Sequence, residues 1–70
     1  MDVLLANALR KLRMEKGISQ SQLARRLVVD RSTVAHWERG SRLPDAAMIL
    51  RIADTLGVDA NYLLDLLYEK

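Results

Sequence analysis

The sequence predicts an all-α fold, and three observations predict it. Apolar residues recur at three- and four-residue intervals through most of the chain, the spacing that lines one side of a helix. Gly17, Gly40 and Gly57 each close such a stretch, where glycine most cheaply adopts the left-handed conformation of a helix end. Aromatic residues make up only 4 % of the chain, which does not suit strands. The 70 residues suit a single domain over 1–70, and with no cysteine the chain has neither disulfides nor thiol metal ligands. Its stability must therefore come from well-packed helices or from self-association.

Five helices are expected, at 3–16, 20–27, 31–39, 46–56 and 60–69. In the first, Leu5, Ala8, Leu9 and Leu12 make the apolar stripe and Gly17 is the stop. The second begins after Ser19, whose hydroxyl is placed to cap it while Gln22, three residues on, reaches back to the Ser19 N–H. Leu23, Ala24 and Leu27 then face inward, leaving Gln20, Gln22, Arg25 and Arg26 outside. Asp30 is the expected cap of the third helix, its carboxylate suiting the positive helix end. There Val34 and Trp37 point to the core, while Arg31, Ser32, Ala35, His36 and Arg39 form one continuous ridge on the other side.

Pro44 halts the loop before Asp45 caps the fourth helix, whose inner face is Ile49, Ile52, Ala53 and Leu56. Asp59 caps the fifth, ANYLLDLLYEK. Leu63 should point inward, yet Tyr62, Leu64, Leu66, Leu67 and Tyr68 wrap around the helix, more apolar surface than one stripe requires. No repeat, low-complexity tract or linker interrupts the chain.

Charge divides the sequence more sharply than its net value of +2 implies. From Arg10 to Arg42 there are nine Lys or Arg against three Asp or Glu, and from Leu43 onward two against five. The first part suits a polyanion. No apolar run approaches the roughly twenty residues of a membrane span, and MDVLLANALRK lacks a basic leader, so a cytoplasmic protein without a membrane partner is expected. His36 is the sole histidine and has no nucleophile or carboxylate pair beside it. No enzyme activity, cofactor, metal or small-molecule ligand is expected.

Ser19 to Gly40 reads as helix, tight turn and helix, and here the sequence resembles the lambda-repressor-like (Cro-like, Xre-type) helix-turn-helix family of bacterial and phage regulators. The likeness runs from about Leu9 to Leu64, through LRMEKGISQSQLA, the WERG ending, Pro44 and LRIADTLGV. It implies a five-helix DNA-binding domain that reads the major groove with helix 31–39 as a homodimer on a near-palindromic operator. It also implies an ion pair between Arg13 and Glu38, tying the first helix to the end of the third. Family turns commonly carry glycine at position 28; this chain has Val28, so either the turn is strained or its path differs.

Within that expectation, bases fall to Arg31, Ser32, Ala35 and His36. Arg31 carries the fork that matches the two acceptors of guanine, or lies on a phosphate. Phosphates fall to Gln20, Gln22, Arg39 and Arg42, with Arg25 or Arg26 as additions, and Thr33 meets a phosphate or a thymine methyl. Tyr62, Leu64 and Leu67 are the expected dimer contact, the alternative being that the leucines pack on the first helix of the same chain. A second class of function, a helical protein-interaction module or antitoxin-like partner binding through the fifth helix, stays open.

Overall fold

Capping chemistry sets the helix boundaries in the computed structural model, which describes residues 3–68. Helix α1 spans Val3–Glu15, α2 Gln20–Leu27, α3 Arg31–Arg39, α4 Ala46–Leu56 and α5 Ala60–Tyr68. The expected end of the first helix at residue 16 moves back by one, because the Lys16 N–H divides between the Leu12 and Arg13 carbonyls as the last turn tightens. The expected end of the fifth, at 69, lies outside the described residues.

At the start of α2 the Ser19 hydroxyl accepts from the Gln22 N–H at 3.0 Å, and the Gln22 side chain accepts from the Ser19 N–H at 2.8 Å. Two donors left unpaired by the helix start are thereby satisfied. Asp45 caps α4 through the Met48 N–H at 2.8 Å, and the Asp59 carboxylate accepts from the Asn61 N–H at 2.9 Å. Asp30 departs from expectation. It holds the extended N-cap conformation before α3, but its carboxylate makes no cap hydrogen bond; its backbone carbonyl accepts from the Thr33 N–H instead.

The core lies where the five helices converge. Leu5, Leu23, Leu27, Val34, Ile49, Ile52 and Leu63 are its largest fully enclosed side chains, each stabilising the fold by about 1.5–3 kcal/mol. Trp37 is buried beside them. Helix α1 packs on α3 and α5, α2 on α3 and α4, and α4 on α5. Ala6 and Ile18 are also buried, although neither falls on the stripe read from the sequence. Leu64 and Leu67 are half-buried against this core, while Tyr62 and Tyr68 stay exposed.

Candidate nucleic-acid interface

The second and third helices are locked together by a polar chain that begins on α1. Arg13 makes a two-pronged pair with Glu38, Nε to Oε2 at 2.6 Å and Nη2 to Oε1 at 3.0 Å, and its third arm donates to the Ile18 carbonyl at 2.7 Å. The two side chains are only 11 % and 4 % exposed. Such a fork uses the planar guanidinium fully, which lysine cannot do. The hydrogen bond to Glu38 raises the Arg13 pKa above its already high ordinary value, against the opposing effect of desolvation. The stability linked to that raised value is fully present below the ordinary arginine pKa and is lost only as pH rises through the higher folded-state value.

Glu38 passes the constraint outward. Its Oε1 also accepts from Gln20 Nε2 at 3.2 Å, and Gln20 Oε1 accepts from Arg31 Nη1 at 3.2 Å. The first residue of α2 is thus clasped between the last turn of α3 and its first residue. Gln20 was expected at a phosphate, yet both ends of its amide are engaged within the protein. The second amide hydrogen is left for a ligand. Gln22 is similar, its oxygen occupied by the Ser19 N–H and its amide hydrogens free of any partner among the described residues.

Along α3, Arg31, Ser32 and Arg39 are exposed and Thr33 and His36 half-exposed. Ala35 requires correction. It is only 6 % exposed, because α3 packs against both α1 and α2 and its covered sector is wider than one stripe. The ridge expected from the sequence therefore lacks its central methyl. His36 Nδ1 lies 2.8 Å from the Ser41 hydroxyl and 3.1 Å from Arg39 Nη2, so the ring and the Arg39 guanidinium are held together. Arg42 is exposed just beyond the helix, as are Arg25 and Arg26 on α2.

The turn between the helices is the strained part of the site. Val28 takes the left-handed conformation, φ 59° and ψ 48°, the one non-glycine residue with positive φ among those described. Its side chain is 85 % exposed. Arg51, a residue to which no sequence pattern pointed, reaches from α4 and donates to the Leu27 carbonyl at 2.7 Å. That bond satisfies a carbonyl left over at the helix end and places positive charge at its negative pole.

A short capped helix, a tight turn and a second helix with exposed Arg31, Ser32 and Arg39 define a helix-turn-helix protein. Residues 9–63 match the helix-turn-helix (HTH_3) family, and the chain belongs to this lambda-repressor-like family of DNA-binding transcriptional regulators. It is 40 % identical over 55 residues to the uncharacterised HTH-type transcriptional regulator YazB of Bacillus subtilis (strain 168), covering 79 % of this chain and 80 % of that protein. A second regulator of that organism, YqaE, is 36 % identical over 56 residues; the match covers 80 % of this chain and about half (48 %) of YqaE.

Two solved structures share the fold. The restriction-modification controller protein C.AhdI from Aeromonas hydrophila superposes with a TM-score of 0.81 at 39 % identity, covering 87 % of this chain and 92 % of that one. The hypothetical transcription factor NHTF from Neisseria gives 0.82 at 38 % identity, over 90 % and 71 %. Among the described residues no helix is long and apolar enough to cross a membrane.

Proposed function

We propose that the chain is a sequence-specific regulator that binds double-stranded DNA as a homodimer on a near-palindromic operator, with α3 in the major groove. The observation that carries this is the clasp from Arg13 through Glu38 and Gln20 to Arg31. It fixes the angle between α2 and α3 and holds the first base-reading side chain before DNA arrives, which lowers the ordering cost of binding. Arg31, Ser32 and His36 read bases. Gln20, Gln22, Thr33, Arg39 and Arg42 meet the backbone, supplying most of the affinity, while base edges supply the sequence preference.

One such motif covers only a few base pairs, so two copies on one face of the duplex are needed for a useful operator. The fifth helix is the proposed contact, with Tyr62, 52 % exposed, at its centre and Leu64 and Leu67 only half covered by their own chain.

Selection of an operator from random duplex DNA, followed by titration against salt, tests this reading. The expected result is a single preferred site, affinity falling linearly with the logarithm of salt concentration, and half-site centres about one helical turn, roughly 10 base pairs, apart. Binding to no duplex at any salt concentration, with Arg31→Ala and Gln20→Ala silent, ends it in favour of a protein-binding module. For the dimer, sedimentation of Tyr62→Glu is expected to shift the protein towards monomer. An unchanged dimer places the contact elsewhere.

A further inference from the structure

Which hydrogen-bonding face His36 offers to DNA is decided by its neighbours within the protein. A neutral imidazole carries its single proton on one nitrogen and a lone pair on the other, and the partner of one nitrogen dictates the other. Arg39 Nη2 lies 3.1 Å from His36 Nδ1. A guanidinium only donates, so Nδ1 must hold the lone pair. The Ser41 hydroxyl lies 2.8 Å from the same nitrogen and 3.3 Å from the His36 carbonyl, and its single proton goes to one of these two acceptors. Ser41 is itself placed by the turn that ends α3, where its N–H donates to that carbonyl at 3.1 Å. A proton on Nδ1 could serve only the Ser41 oxygen, and it would meet the donating Arg39 guanidinium head-on.

We infer that Arg39 and Ser41 hold His36 as the Nε2–H tautomer, so that it presents the major groove with a lone donor and selects guanine. The inference rests on the proposed reading of α3 as the DNA-contacting helix. Nε2 lies across the ring from Nδ1 and has no hydrogen-bond partner among the described residues. A lone donor matches guanine best, because N7 and O6 are adjacent acceptors with no competing donor. Thymine offers the single acceptor O4 beside its methyl group, adenine N7 stands beside an amino group, and cytosine offers only an amino donor. Arg39 thereby becomes a positioning residue as well as a source of charge near the backbone.

The test has two arms. In the free protein labelled with 15N, long-range proton–nitrogen correlation at neutral pH reads the tautomer directly. The expected spectrum has Nδ1 unprotonated and Nε2 protonated, a tautomeric mixture in the Arg39→Ala, Ser41→Ala double variant, and recovery of the single form when Lys replaces Arg39. A wild-type ring with its proton on Nδ1, or a double variant with an unchanged ring, overturns the inference whether or not the protein binds DNA. In the second arm, operator selection is repeated with His36→Ala. Preference is expected to relax at one guanine, where replacement by 7-deazaguanine weakens wild-type binding by about tenfold and leaves His36→Ala unaffected. Relaxation at a position without guanine, or equal loss in both proteins, overturns it. Failure to bind any duplex would instead defeat the underlying assignment of α3, while leaving the tautomer result standing.

Discussion

Helices α2 and α3 both finish on a residue in the left-handed conformation, Val28 at φ 59° and Gly40 at φ 76°, and both close with the same pair of backbone bonds. After α2 the Val28 and Val29 N–H groups donate to the Arg25 and Ala24 carbonyls; after α3 the Gly40 and Ser41 N–H groups donate to those of Trp37 and His36. Glycine takes that conformation freely, whereas a side chain branched at Cβ loses about 1–2 kcal/mol. The difference teaches that the turn's path is imposed from outside Val28. Val29, the next residue, is packed partly against the core, and Arg51 grips the Leu27 carbonyl from α4. Tertiary contacts that fix the chain on both sides can hold a residue where its own preference would not.

Breaking the external supports of the two helix ends should give the largest effects. Glu38 sits in the last turn of α3 and is the partner of Arg13. Glu38→Ala strands a nearly enclosed guanidinium and is expected to cost about 3 kcal/mol in chemical denaturation. It should also free Gln20 and Arg31, so loss of DNA preference should exceed loss of stability. Arg51→Ala removes the corresponding hold on α2, and a lost hydrogen bond from a charged donor predicts a cost of about 2 kcal/mol. Hydrogen exchange at the Val28 and Val29 amides should rise with it. If those amides keep their protection, Val28 holds its conformation without help from α4.

The parts of this arrangement that were legible in the sequence are the local ones. Ser19 with Gln22 at the third helical position, and the glycines after the α3 and α4 stripes, encode their structures within four residues, so the start of α2 and the ends of α3 and α4 could be read directly. Arg51 and Leu27 are 24 residues apart, and their contact exists only because α2 packs against α4. No periodicity announces it. Ala35 failed for a related reason: a helix wheel assigns one buried side, but a helix flanked by two others buries a wider sector. Asp30 has the right residue type and backbone for a cap, yet leaves its carboxylate unused, which composition cannot reveal. In the candidate interface, the exposure of Arg31, Ser32 and Arg39 follows from spacing, whereas the clasp on Gln20 depends on contacts between elements and the environment of His36 on the path of the turn after α3.

Exchanging residue types between the helix ends isolates the backbone contribution. Gly57 closes α4 at φ 69°, and a Cβ built there would meet nothing within 4 Å. Gly57→Val should therefore cost about 1–2 kcal/mol through conformation alone. The reverse change, Val28→Gly, has the smallest expected effect and is the most informative. It relieves the left-handed strain but gives the unfolded chain more freedom, which offsets part of the gain by about 0.5–1 kcal/mol. Because the Val28 side chain is almost wholly exposed, little packing is lost. The net expectation is a gain of roughly 0.5–1 kcal/mol, seen as a rise in Tm of a few degrees for a domain of this size. A lower Tm would mean that the valine side chain stabilises the fold through contacts its exposure does not reveal, and that the two helix ends differ in more than backbone preference.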